Sequence, residues 1–446
     1  MAGKLFGTDG IRGVAGEFPL DARTVFAFGE ALGEDIAAHG RGSEALIGAD
    51  TRESGAWIAA TVAGGLRRRG VRARYAGVIT TPGVAWLTRT GPFAAGVTIS
   101  ASHNPYQDNG IKVFTHSGFK LPDEEERAIE EALLRLRDEE PEPHPAPLAV
   151  DEDLNRQYLE YLRATVLVRF DGVRLGLDCG HGAASRLAPE LFRSLGADVT
   201  TVGAAPDGRN INLHCGALHP ENLSRAVVEH GVDFGVAFDG DADRAIFVAR
   251  SGRVVNGDGV LLAAARAWKA AGRLAGGTVV STVMANLGLE RALEREGIRM
   301  IRTPVGDKYV LEEMVRLDAV LGGEQSGHVI FREYATTGDG ILTALKVFEI
   351  ARLAGAGLDE LTAGLEVYPQ KLVNIRVRRR EGLLRHPAVE REIRRAEEAL
   401  AGSGRVLVRF SGTEPLARVM VEAADAGQVE AFSESIAGAI REAQGA

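Results

Sequence analysis

The chain reads VRLGLDC at 173–179, PELFRSLGA at 189–197 and DFGVAFD at 233–239. The outer two are apolar runs of strand length, and the middle one has the length and amphipathic character of a helix. Strand, helix and strand in succession predict a parallel sheet with helices on its faces. The alternation recurs upstream in SEALIGAD (43–50), AWIAATVAGGLRRRG (56–70) and FAAGVTIS (93–100). It recurs downstream in GTVVSTV (277–283), LGLERALEREG (287–297) and DAVLGG (318–323). The expected class is α/β.

Three breaks divide the pattern. The charged helix DEEERAIEEALLRLRDEE (123–140) runs into PEPHPAP (141–147), where proline removes helix hydrogen bonds and marks a linker. SGRVVNGDG (251–259) and the stretch 354–370 are the other two. Beyond them the order becomes VNIRVRR, an amphipathic helix over 388–401, GRVLVRF and ARVMVEA, which predicts a small α+β domain. No fixed-period repeat is visible.

At 446 residues the chain has room for about three domains of ~150 residues. With 45% hydrophobic and 25% charged residues it is neither disordered nor fibrous. A formal charge of −9 argues against a partner held by overall positive charge, such as nucleic acid, and leaves room for a local cationic pocket. Two cysteines, Cys179 and Cys215, are too few for a disulfide framework, so a reducing cytoplasm is expected. The start MAGKLFGTDGIRG has no apolar signal region, and Arg266 interrupts GVLLAAARAWKAAG, so no membrane partner is expected. Glycine, at 55 residues, is in excess, which suggests many tight turns where backbone approaches something.

Four loops carry candidate chemistry. Asp239, Asp241 and Asp243 in DGDADR follow an apolar strand and are separated only by Gly and Ala, so three carboxylates can close round one hard cation such as Mg²⁺. An EF-hand is excluded, because Arg244 and Arg250 stand where Gly and Glu would be needed. An acidic turn is the plain alternative, and mutual repulsion counts against it. SASHNP (100–105) offers a serine nucleophile or phosphate carrier beside a histidine, or merely a capped Asn-Pro turn. RFSGTEP (409–415), with Arg418 beyond, offers a backbone anion nest and two arginines, or a polar hairpin loop. GEQSGH (323–328) offers groups that suit sugar hydroxyls, although His328 could equally be a structural histidine. GHGAAS (180–185) approximates a dinucleotide fingerprint but ends in Ser185, and the spacing of His214, Cys215 and His219 matches no zinc pattern.

FGTDGIRG (6–13), SASHNP, DGDADR, GEQSGH and RFSGTEP, in this order, resemble the α-D-phosphohexomutase family across nearly the whole chain. Ser100 before Ala-Ser-His-Asn-Pro, Gln325, and NINLHCG with HPENL (210–223) resemble its glucosamine branch; GALH (216–219) departs from the more usual Gly-Ser-Thr-His. The resemblance implies three related doubly wound α/β domains and a smaller C-terminal α+β domain round a central cleft. The expected bounds are 1–150, 151–254, 255–365 and 366–446. It implies an isomerase that moves phosphate between the 6 and 1 positions of an amino-sugar phosphate through a phosphoserine at Ser102 and a glucosamine 1,6-bisphosphate. One Mg²⁺ would be held by Asp239, Asp241, Asp243 and the phosphorylated Ser102. Arg12, His103, Lys112, Arg244 and His328 would surround the transferring phosphate, with Lys112 and His328 the candidates for proton transfer. Glu324, Ser326, Asp307 and Lys308 would face the sugar. Arg409, Ser411, Gly412, Thr413 and Arg418 would grip the non-reacting phosphate. The family leaves room for a homodimer. The competing readings are a glucose- or mannose-specific relative, an NAD-dependent oxidoreductase using 180–185, and a sugar-phosphate binder without catalysis.

Overall fold

DFGVAFD forms the strand Phe234–Phe238, and the preceding apolar run forms Arg174–Asp178 parallel to it. The intervening helix, Ala184–Ser194, starts five residues before PELFRSLGA and carries Pro189 inside it. The computed structural model describes residues 5–7, 9–139, 142–378, 382–410 and 415–444. Two compact units contain them: Met1–Met284 with Met300–Ala363, and Ala285–Arg299 with Gly364–Ala446.

Three sheets repeat one plan. In the first, Glu44–Ala49 lies between Arg72–Val78 and Ala95–Ile99, parallel to both, and Asp108–Thr115 returns antiparallel to Ala95–Ile99. In the second, Arg174–Asp178 lies between Asp198–Val202 and Phe234–Phe238, parallel to both, and Ala245–Ala249 returns antiparallel. In the third, Thr278–Thr282 lies between Arg299–Thr303 and Leu321–Gly323, and Val329–Phe331 returns antiparallel to Leu321–Gly323. The sheets are therefore mixed rather than purely parallel. Each places a short loop at the same point, between the third strand and its return. Those loops hold Ser102, Asp239–Asp243 and Glu324–His328.

Helices cover the sheets because strands such as Ala95–Ile99 and Ala245–Ala249 are buried throughout. Helix Ala22–His39 packs on Gly55–Arg68 at backbone contact: a Cβ on Gly29 would lie 2.3 Å from the Val62 carbonyl oxygen, and one on Gly65 2.3 Å from that of Phe26. Part of the glycine excess thus serves helix crossing rather than turns. The Pro-rich stretch is no free linker, since the Ala146 amide donates to the Ala60 carbonyl at 2.8 Å and His144 stands edge-on to Phe26. The second break is likewise structured: Val254–Val255 joins the second sheet, and Asn256 caps helix Gly257–Ala270.

In the smaller unit Leu416–Ala423 lies between Gln370–Arg376 and Gly404–Phe410, antiparallel to both. Helix Pro387–Ala399 falls where the sequence places it, and a further helix, Ala426–Ala443, packs on the same core beyond ARVMVEA. Helix Leu287–Arg295 also belongs here. Its first amide donates to Glu422 at 3.0 Å, Asn286 donates to the Tyr368 carbonyl at 3.0 Å, and Arg295 donates to that of Gly364 at 2.6 Å.

Asp339 caps helix Gly340–Ala354 and accepts from the buried Tyr158 hydroxyl at 2.6 Å. Burial pushes its carboxyl up to about 6, against the pull of its Leu342 and Tyr158 hydrogen bonds. The fold therefore binds this proton more tightly than the unfolded chain, so stability falls as pH rises from about 4 towards the folded value and stays lower above it. Asp339→Asn keeps an acceptor for the cap and removes this slope. Urea unfolding at pH 5 and pH 8 should show the parent losing about 1 kcal/mol more than the variant between the two.

Candidate functional site

The serine and aspartate loops meet through backbone. A Cβ on Gly240 would lie 2.4 Å from the Ser102 carbonyl oxygen, so only glycine permits the approach. Ser102 Oγ donates to Asp239 Oδ2 at 2.6 Å and lies 3.4 Å from His103 Nδ1. Asp239, Asp241 and Asp243 are buried, with one carboxylate oxygen from each within 4.8 Å of the others. At that spacing each pair repels by about 3 kcal/mol even in a well-screened interior. Burial, then Asp243 and Asp241, drive the Asp239 carboxyl well above the usual carboxylate range. Burial opposes ionisation of Asp243 too, but Lys112, His328 and Arg244 outweigh it and hold that carboxyl well below the range.

Two protein cations answer part of this charge. Lys112 Nζ donates to Asp241 Oδ2 at 2.9 Å and lies 3.2 Å from Asp9 and 3.8 Å from Asp243. Burial disfavours its charge, yet Asp241, Asp9 and Asp243 raise its pKa, so it stands as an ammonium. Arg244 lies 3.7 Å from Asp243 and 3.3 Å from His103 Nδ1. Burial, with Arg244 and Arg12 beside it, pushes the His103 imidazole down to about 4, so it is neutral at physiological pH.

These two cations leave the cluster incompletely paired. Asp241 Oδ1 and Asp243 Oδ1 are buried without a hydrogen-bond partner. Two orphaned anionic oxygens, beside the third carboxylate of Asp239, suit a hard divalent cation. Among the described residues this is the one cluster of three or more His, Cys, Asp or Glu side chains with that geometry.

The glutamate loop adds a third side. His328 Nδ1 lies 3.6 Å from Asp243, and its Nε2 accepts the Gly338 amide at 2.9 Å and lies 3.6 Å from Asp307. Burial works against the imidazolium, but Asp243 and Asp307 raise its pKa. Glu324 accepts the Gly306 amide at 3.1 Å, and Ser326 Oγ, on an exposed residue, lies 3.3 Å from it. Arg12 pairs with Asp9 and keeps a buried Nε without a partner.

Several expectations shift. Lys308, expected to face the sugar, donates to Asp123 at 2.5 Å and to the Leu121 carbonyl at 3.3 Å. Gln325 donates to Asp258 at 3.2 Å. Arg409 and Arg418 face each other in register on neighbouring strands of the smaller unit, and burial with Arg418 nearby lowers the Arg409 pKa. Ser411, Gly412 and Thr413 lie outside the described residues. The dinucleotide reading of 180–185 fails on packing. The Ala183 amide donates to the Gly240 carbonyl at 2.8 Å, and a Cβ on Gly182 would stand 2.3 Å from the same oxygen, so backbone occupies the place a pyrophosphate would need.

Other members were not singled out from the sequence. Thr81 Oγ1 donates to Asp241 at 2.6 Å. Lys120 bridges Asp9 and Asp307 at 2.7 Å each. Asp9 lies inside the quoted FGTDGIRG, which was its one available signal; nothing local marks Thr81 or Lys120.

Four family descriptions match the chain in order. They are the phosphoglucomutase/phosphomannomutase α/β/α domains I, II and III, over residues 3–140, 156–252 and 256–368, and the C-terminal domain over 372–439. The chain is 70% identical over 445 residues to a phosphoglucosamine mutase of Solibacter usitatus, covering 100% of both. It is 51% identical over 451 residues to one of Koribacter versatilis, covering 99% of this chain and 97% of that one. Among solved structures, a putative phosphomannomutase of Thermus thermophilus aligns with TM-score 0.80 at 26% identity over 99% of this chain and 100% of that one. A phosphoglucomutase/phosphomannomutase family protein of Burkholderia thailandensis aligns with TM-score 0.81 at 24% identity over 99% and 97%, a likeness of fold. No helix among the described residues is long and apolar enough to cross a membrane.

Proposed function

Since the chain belongs to the phosphoglucomutase/phosphomannomutase family, the α-D-phosphohexomutases, we propose that it interconverts glucosamine 6-phosphate and glucosamine 1-phosphate with Ser102 as the phosphoryl carrier. The observation that carries this is the meeting of Ser102 Oγ with Asp239 at the edge of a buried carboxylate triad. Asp239, Asp241 and Asp243 would hold Mg²⁺, which supplies charge neutralisation to the phosphoryl group when bound.

The transfer balances as two displacements. The O1 hydroxyl of glucosamine 6-phosphate attacks phosphorus of phosphoserine 102; the P–Oγ bond breaks, the O1 proton leaves, and a 1,6-bisphosphate results. After that intermediate turns over, Ser102 Oγ attacks the 6-phosphorus, the serine proton leaves, O6 gains a proton, and glucosamine 1-phosphate departs. Arg12, Lys112 and Arg244 offset the charge of the group in flight. Lys112, held protonated by three carboxylates, serves as donor or electrostatic stabiliser before it serves as base. His328, with Nε2 accepting the Gly338 amide, has its Nδ1 proton directed to Asp243 and is the other proton carrier. Glu324 and Ser326 read the sugar hydroxyls, with Asp307 on the same side. Arg409 and Arg418, paired across adjacent strands, grip the non-reacting phosphate with Ser411, Gly412 and Thr413.

The functional division follows the loops: 1–150 carries the serine, 151–254 the triad, 255–365 the sugar loop and 366–446 the arginine pair. The product would feed UDP-N-acetylglucosamine and cell-wall precursor synthesis in the cytoplasm. A side-by-side assay with glucosamine, glucose and mannose 6-phosphates tests the assignment. We expect kcat/KM for glucosamine 6-phosphate to exceed the others at least tenfold, about 1.4 kcal/mol of discrimination. Equal or greater efficiency with glucose or mannose overturns the sugar while leaving the family chemistry.

A further inference from the structure

Ser102 stands at φ 51°, a left-handed conformation that residues with a side chain keep only when their surroundings hold it. The support is a buried guanidinium. Arg52 follows the strand Glu44–Ala49, and its side chain and that of Asp50 are fully buried. Its Nε donates to Asp50 Oδ2 at 2.9 Å. Its other donors all reach carbonyl oxygens of one loop: Nη2 those of Ser102 at 3.0 Å and Asn104 at 2.8 Å, and Nη1 those of Asp108 at 2.9 Å and Pro105. A second arm comes from the 203–216 segment, where Asn212 Nδ2 donates to the Ser102 and Asn104 oxygens at 2.9 and 3.1 Å. Asp50 closes the frame. It accepts from Ser100 Oγ, which in turn accepts the Ser102 amide at 2.9 Å.

We propose that Arg52 is the positioning residue for phosphoryl transfer, with Asn212 as its second arm: together they fix the backbone on both sides of Ser102 so that Oγ is presented to the carboxylate triad. The proposal rests on the reading of Ser102 as phosphoryl carrier. Five fork-arranged donors meet five acceptors, a match to guanidinium that the three donors of an ammonium cannot reproduce. Neither side chain bonds the triad, so their contribution lies in the placement of Oγ rather than in holding the metal. A misplacement of about 1 Å in a displacement reaction costs about a hundredfold in rate.

The test uses full-length Arg52→Lys and Asn212→Ala enzymes with Mg²⁺, the sugar phosphate and a trace of sugar bisphosphate. We expect kcat of Arg52→Lys to fall about a hundredfold and that of Asn212→Ala about tenfold. KM and the Mg²⁺ concentration for half-activation should stay within about threefold of the parent, since both variants leave the metal ligands and sugar readers in place. Amide hydrogen exchange should quicken over residues 100–110 and stay unchanged in the strands Glu44–Ala49 and Phe234–Phe238. A folded Arg52→Lys with kcat within threefold of the parent, or exchange that quickens throughout the first sheet, overturns the proposal. Should Arg52→Lys yield no folded protein, Asn212→Ala decides by the same criteria. A parent without mutase activity overturns the carrier reading instead; exchange confined to 100–110 then still supports the clamp, and unchanged exchange there overturns it.

Discussion

Ser102→Ala should lower turnover by at least about a thousandfold and leave the melting temperature within a few degrees of the parent. The two halves of this expectation come from different atoms. The hydroxyl is the group that would carry phosphate, and its one short contact is with Asp239. The backbone of residue 102 is held through its carbonyl by Arg52 and Asn212 and through its amide by Ser100, none of which alanine disturbs. Alanine also tolerates the left-handed conformation about as well as serine does. Intact-mass measurement after incubation with a sugar bisphosphate checks the carrier directly: the parent gains one phosphoryl group and the variant gains none. Turnover in the variant within tenfold of the parent would remove Ser102 from the chemistry and the phosphoserine route with it.

Asp239→Asn is the second large effect. The buried triad places three anions together, and Asp239 bears the strongest penalty, its carboxyl raised by burial and by both neighbours. Replacing it with a neutral isostere relieves that repulsion when no metal is bound, so in chelator the variant should melt at or above the parent. With millimolar Mg²⁺ the order reverses, because the parent gains stability by binding and the variant has lost a ligand oxygen. Turnover should fall at least about a hundredfold, with half-activation moved to higher Mg²⁺. Thermal melts with and without Mg²⁺ read the metal site independently of activity. A variant with the parent's full Mg²⁺-dependent stabilisation would place the ion elsewhere.

The parts of this site legible in the sequence are those whose chemistry is written locally. Asp239, Asp241 and Asp243 alternate with Gly and Ala directly after a strand, so spacing marks them; Ser102 follows another strand, and the ordered motifs of the family resemblance singled it out. The residues that escaped notice act on partners far along the chain. Thr81 reaches Asp241 across 160 positions, Lys120 reaches Asp9 across 111, and Arg52 serves a loop 50 residues away. A guanidinium satisfied by five carbonyl or carboxylate oxygens looks, in sequence, like any arginine after a strand. Lys308 shows the converse: a motif position gave it a role, and nothing in that motif marks its ion pair with Asp123, 185 positions away. The α/β alternation was readable because each element buries its own apolar face. The antiparallel return strands were not, since neither DNGIKVFT nor AIFVA carries any mark of direction. The common plan of the three sheets was signalled by the family resemblance alone: it resides in strand order, with no repeating residues to show it.

Helix Leu287–Arg295 gives the molecule a seam that does not follow the order of its chain. In sequence it sits between two strands of the third sheet, yet Glu422, Tyr368 and Gly364 fasten it within the smaller unit. The backbone passes from one unit to the other at 284–285, at 299–300 and at 363–364, so the two are stitched rather than strung. Anyone grafting the last eighty residues onto a relative, or trimming them away, would carry off the lining and leave the thread: the first amide of that helix and the Asn286 side-chain amide would be left without Glu422 and the Tyr368 carbonyl. The transferable module is the C-terminal sheet together with that distant helix, and a chimera drawn by sequence order alone would cut through fabric.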